Sequence, residues 1–137
     1  MTLVHGTCIA FPLVEEAGVA AAVLLRGLSG IGKSDLALRL IDDGAQLVAD
    51  DQVDLELTEE GLLASAPQTI RGMLEVRGVG LVHLPVASKA ALVAIIDLVG
   101  VDTEIERLPE PDEVDIAGTT LPLWKLQPFE SSAMAKV

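Results

Sequence analysis

Eight consecutive residues carry the clearest chemistry of the chain: Gly27, Leu28, Ser29, Gly30, Ile31, Gly32, Lys33 and Ser34. They fit G-x-x-x-x-G-K-[ST], a P-loop that closes its backbone N–H groups round nucleotide phosphates. Each fixed position has a job. The glycines let the backbone approach the anion, the Lys33 ammonium reaches the β/γ-phosphates, and the Ser34 hydroxyl joins the shell of a Mg²⁺ ion. At average residue usage such a match arises by chance roughly once in a few hundred chains of this size. The bland alternative is a Gly-rich turn between a strand and a helix.

A phosphate cradle needs a second carboxylate, to hold Mg²⁺ or to activate a nucleophile. Asp50-Asp51 follow the apolar Leu47-Val48-Ala49. A strand ending in acids would deliver them to the sheet edge that carries the P-loop. One acid would orient the metal and its water, and the other would accept the proton of an attacking hydroxyl. In a chain with 21 acidic residues, a solvated acidic turn is the competing reading. Glu75 is the next candidate, as a metal ligand beside glycines or as a surface partner of Arg71 or Arg77. His5 stands beside Gly6 near the start of the chain, where a lone His is usually incidental. Arg107 is either a stabiliser of transition-state charge or a surface cation.

The elements that must position these groups are mostly strands. Val19–Leu25 is an apolar, strand-like run before the loop. Asp35–Asp43 is helix-like after it, with Leu36, Leu40 and Ile41 on one stripe. Putting the phosphates at that helix's N-terminus uses its free N–H groups and dipole. Thr2–Pro12 reads as one strand, turning at Glu15–Gly18 into the next. Ala45–Ala49, the alternating Val53–Thr58, Leu62–Ala66, the Gly-broken Leu74–Pro85, Ala91–Val99, Val114–Ile116 and Thr119–Leu126 are further strand-like runs. Leu108–Asp112 is a Pro-containing loop, and Ser131–Val137 a frayed helix or tail. One helix among clustered strands predicts a single α/β domain over residues 1–137. Its expected form is a mixed, largely antiparallel sheet wrapped round a central P-loop helix.

Composition bounds the rest. The chain has 137 residues, half of them apolar, which suffices for one core. There is no Tyr, and only two Phe and one Trp, so that core must be aliphatic. Trp124, the single Trp, is expected in the core, or with Phe129 as a hydrophobic contact. Net charge is −12, which excludes a nucleic-acid footprint and disfavours anionic membranes. No apolar run reaches membrane-spanning length, since Ala90–Val101 carries Asp97. The lone Cys8 precludes an internal disulfide, suits a reducing cytoplasm and reads as a buried thiol.

Taken together, these residues resemble the catalytic domain of HPr kinase/phosphorylase, which phosphorylates a serine of a small phosphocarrier protein. The likeness rests on His5-Gly6, Gly27–Ser34 with Asp35-Leu-Ala-Leu, and Leu47-Val-Ala-Asp50-Asp51. It continues through Ile70-Arg71-Gly72, Leu74-Glu75-Val76-Arg77-Gly78-Val79-Gly80 and Glu106-Arg107-Leu108. It implies that Lys33 and the loop amides bind the phosphates of ATP. It implies that Ser34 and Glu75 ligate Mg²⁺, and that Asp51, with Asp50 beside it, takes the proton from the target serine. His5 and Arg107 would complete the site. An HPr-like phosphocarrier would be the substrate, and a homo-oligomer, a hexamer, the assembly.

Two stretches depart from the family. Its full-length members carry an N-terminal domain, whereas four residues precede His5 here. The family's Pro-Gly-Arg-Asn-type loop, tied to the reverse dephosphorylation, is replaced by Thr120-Leu-Pro-Leu-Trp124-Lys125-Leu-Gln-Pro-Phe129-Glu130. The resemblance therefore implies the forward reaction and does not carry the phosphorylase reaction. The competing expectation is a P-loop regulatory module that binds nucleotide with little or no transfer. A small-molecule kinase is weaker, for want of an Arg-rich lid.

Overall fold

The computed structural model describes residues 2–11, 20–28, 30–59, 61–76, 78–84, 86–87, 89–100, 105, 110, 112–129, 132 and 136–137. The expected turn at Glu15–Gly18, most of the Pro-containing loop and most of the C-terminal tail lie outside them. In chain order the elements are β1 (Thr2–His5), β2 (Thr7–Phe11), β3 (Ala20–Arg26), α1 (Lys33–Asp42), β4 (Gln46–Ala49), β5 (Gln52–Thr58) and β6 (Gly61–Ser65). A 3₁₀ turn at Gln68–Ile70 leads to β7 (Met73–Val76), β8 (Gly80–His83), β9 (Ala90–Leu98), β10 (Asp112–Ile116) and β11 (Thr119–Leu126).

The main sheet runs β1-β5-β6-β9-β3-β2-β4. It branches at β9. The start of β9 pairs with β6 at Ala90 and Ala91, and its end pairs with β11 over Ile95–Leu98. β10 then adds to β11. The pairings β3–β9 and β9–β11 are parallel, and the other strand pairs are antiparallel. The mixed α/β sheet expected from the sequence is present. β7 and β8 form a separate hairpin across Gly78.

Alternation along the inner strands gives the sheet two apolar faces. Ile9, Val23, Leu25 and Leu47 point to one face, where Leu36, Ala37 and Leu40 of α1 cover them. That spacing is one stripe of a helix. Cys8, Ala10, Leu24 and Val48 point to the other face. Among the described residues no helix covers that side. The sheet curls so that Val53, Leu55, Leu62 and Ile116 close it. The helix thus lies on one face, and the strands build a second core away from it, rather than wrapping round α1. Both cores are aliphatic, as the composition requires. Complete burial of one such side chain, Leu36 for example, stabilises by about 1.5–3 kcal/mol.

Two expectations are corrected. Thr2–Pro12 is two strands, because β1 pairs with β5 while β2 pairs with β3 and β4. The break is Gly6, at φ +156°. A Cβ there would sit 2.8 Å from both Leu24 Cδ1 and the Leu25 carbonyl oxygen, so the chain passes β3 too closely for a side chain. Trp124 is not core. On β11, Leu121 and Leu123 pack against the second core; Trp124 shares the other face with Leu126, which the first core buries, but stands outside that core with 48% of its surface exposed.

Candidate active site

One edge of the sheet collects the site. β2 is antiparallel to both β3 and β4, so β3 and β4 point the same way. β9 and β11 run parallel to β3. The carboxyl ends of all four therefore emerge together, the usual place for ligands in such sheets. Gly27–Ser34 follows β3, Asp50-Asp51 follow β4, and Gln127–Phe129 follow β11. His5-Gly6 enter at the same edge, as the start of β2. An open cleft of about 720 Å³ lies there, bordered by Lys33, Ser34, Asp50, Asp51, His5 and Glu75.

The loop enters α1 through Gly32 at φ +112°, and among the described residues no side chain caps the helix. The first N–H groups of α1 are thus free to meet an anion, with the helix dipole behind them. Asp35 in the first turn pairs with Arg39 at 3.2 Å. Lys33 is only 9% exposed. Its Nζ donates to the carbonyls of Gly27 (2.8 Å) and Leu28 (3.0 Å), folding the ammonium over its own loop. Burial lowers the Lys33 pKa, and the charges of Asp50 and Asp51 work against that shift.

The two adjacent acids have different surroundings. Asp50 turns inward. Its Oδ1 accepts from Thr7 Oγ1 at 2.8 Å, and Ser34 Oγ lies 3.1 and 3.3 Å from its two oxygens. The backbone N–H of Glu75 approaches Oδ2 at 3.5 Å. Asp51 turns outward, with 72% of its side chain exposed. His5 Nδ1 lies 3.3 Å from Asp51 Oδ1, and the Gly6 N–H donates to the Asp51 carbonyl at 3.0 Å. Asp51 holds the left-handed conformation, φ +71°, which few residues other than Gly, Asn and Asp adopt.

The structure thus brings together His5, Lys33, Ser34, Asp50, Asp51 and Glu75, along with Gly27, Leu28, Gly30, Ile31 and Gly32 of the loop. Ser29 and Arg107 lie outside the described residues. Sequence reasoning missed Thr7, whose wholly buried hydroxyl steadies Asp50. A hydroxyl residue directly after His5-Gly6, opening an apolar strand, was the available signal. It also missed Arg26, which grips Asp97 through Nε (2.7 Å) and Nη2 (3.0 Å) just before the loop begins.

Among the described residues no three His, Cys, Asp or Glu side chains converge as a metal cage. Mg²⁺ does not need one: it keeps several waters and binds through one or two carboxylates plus substrate phosphates. Ser34 Oγ and the Asp50 carboxylate, already in contact, supply hard oxygen donors of that kind beside the cradle. The residues present fit a phosphate-bound Mg²⁺ ion.

Comparison with known proteins places the fold and the sequence in one family. The chain is 39% identical over 117 residues to the HPr kinase/phosphorylase of Clostridium tetani, covering 85% of this chain and 36% of the relative. It is 36% identical over 132 residues to that of Geobacillus kaustophilus, covering 88% and 40% respectively. The chain therefore spans about two-fifths of the length of these relatives. The solved structure of the Hpr(Ser) kinase/phosphatase from Coxiella burnetii superposes with a TM-score of 0.81 at 26% identity, covering 99% of this chain and 86% of that one. The family model described as the HPr Serine kinase C-terminal domain matches residues 1–131, and the chain belongs to that family.

Proposed function

We propose that this chain is an ATP- and Mg²⁺-dependent protein-serine kinase acting on an HPr-like phosphocarrier. One observation carries the reading. The P-loop residues Lys33 and Ser34 line one open cleft together with an inward Asp50 and an outward Asp51. In this reading the loop amides and Lys33 bind the phosphates of ATP. Ser34 and Glu75, with Asp50 beside them, hold Mg²⁺, which when bound neutralises charge on the phosphates. Asp51, accessible and oriented by His5, takes the proton of the substrate serine hydroxyl as its oxygen bonds to the γ-phosphorus. The bond to the bridging oxygen breaks, and ADP leaves. Arg107 is assigned to transition-state charge by family resemblance alone. The same resemblance supports a homo-oligomer, a hexamer, which sedimentation would test, and the lone Cys8 suits a reducing cytoplasm.

The test is incubation with ATP, Mg²⁺ and an HPr-like protein, read by mass spectrometry for phosphoserine. Lys33→Ala should abolish labelling. Asp51→Asn should bind ATP normally and label at least a hundredfold more slowly, roughly what loss of a general base costs. ATP binding with no labelling of any carrier would instead leave a nucleotide-binding regulatory module.

A further inference from the structure

Phe129 has no role in the chemistry above, yet it stands at the site. The chain holds one Trp and two Phe and no Tyr. Phe11 closes β2 at the far end of the sheet, and Trp124 lies within β11. Phe129 alone of these rings borders the active-site cleft. It is 62% exposed, so most of the ring is open to the cleft side or to solvent.

The ring is exposed but anchored. Val99 N–H donates to the Leu126 carbonyl at 2.9 Å, fixing the end of β11. Pro128 is fully buried, and the Arg39 guanidinium donates to its carbonyl. The ring edge rests on Gly32, where a Cβ would come within 2.9 Å of Phe129 Cζ.

The order of strands says what such a ring meets. On one side of β3 come β2 and β4, which bring Asp50 and Asp51. On the other side come β9 and β11, which bring Phe129. The terminal phosphate of a nucleotide in the loop must face the acids. Its base must then leave the opposite way, along the edge toward β11. We infer that Phe129 is the stacking platform for the base of the bound nucleotide, a role that rests on the nucleotide reading proposed above.

Stacking of a base on an aromatic ring is sequence-tolerant and removable by alanine substitution. The experiment compares ATP with inorganic tripolyphosphate, which has the phosphates and no base, by titration calorimetry in Mg²⁺. Phe129→Ala should weaken ATP about tenfold and leave tripolyphosphate unchanged, while Phe129→Trp keeps ATP affinity. Equal loss for both ligands would mean that Phe129 merely shapes the loop, and unchanged ATP binding in Phe129→Ala would mean no stacking. Either overturns this inference alone. Wild-type protein that binds neither ligand overturns the nucleotide reading as well.

Discussion

Ser34 and Asp50 face each other across the start of α1 and the end of β4, with Ser34 Oγ 3.1 Å from Asp50 Oδ1. Thr7 donates to the same carboxylate oxygen at 2.8 Å. Asp50 is thereby held against the helix N-terminus, while its neighbour Asp51 points to solvent. Two adjacent residues of one type receive two environments from a single backbone turn.

Asp50→Asn keeps the shape and removes the charge. With Mg²⁺ present, ATP affinity should fall about tenfold, because a hard cation loses a nearby carboxylate. In EDTA it should hold steady or rise slightly, since one negative charge beside the phosphates is gone. Titration under both conditions checks this. An equal loss in both would assign Asp50 to holding the loop instead of serving the metal.

Gly32→Ala probes the cradle itself. The backbone at φ +112° disfavours any side chain, and the new methyl would press on Phe129 and Pro128. Destabilisation of about 2 kcal/mol is expected by urea unfolding, with loss of ATP binding. Combining it with Phe129→Ala should recover part of the stability, because the contact is relieved and the φ cost remains. Full recovery would show that the backbone conformation carries no strain.

Much of this was legible in the sequence because the P-loop and the acids are local features. A glycine-rich turn states its own conformation, and Leu47-Val48-Ala49 before Asp50 fixes which sheet edge the acids reach. Two things were not legible. The break at Gly6 depends on how closely β3 passes, a tertiary distance that no local period encodes. Trp124 reads as core by type, but it lies on the face of β11 that also carries buried Leu126 and is still 48% exposed, because how far the first core reaches across the sheet is a tertiary property. The second core was hidden for a related reason. Alternation shows that a strand has two faces, and it does not show whether a helix or the curled sheet itself covers the second.

Arg26 and Asp97 sit opposite each other in the parallel β3–β9 register, joined by two hydrogen bonds of 2.7 and 3.0 Å. The fork-on-carboxylate geometry pins the last residue before Gly27. Both side chains keep about a third of their surface in solvent, so the pair's coupling should be only about 1 kcal/mol. A double-mutant cycle with Arg26→Met and Asp97→Asn, followed by urea unfolding, measures it. A coupling near zero would leave the pair without a stabilising role.

Cys8 offers a pH test of the second core. Burial pushes its thiol up to about 12 from an ordinary 9.0. The unfolded thiol gives up its proton as pH passes 9.0, and the folded one keeps it. The unfolded state then binds fewer protons, so this contribution is whole below pH 9.0 and is lost progressively toward pH 12. The slope is about 1.4 kcal/mol per pH unit in that window. Cys8→Ala lacks this ionisation but leaves a small void, so it should be about 1 kcal/mol less stable at pH 7. Urea unfolding at pH 7, 9 and 10 should show the gap between the two proteins closing above pH 9 and then reversing, with Lys33 and every other group cancelling in the comparison. Parallel curves would mean that water reaches Cys8 and that the curled face of the sheet is not sealed.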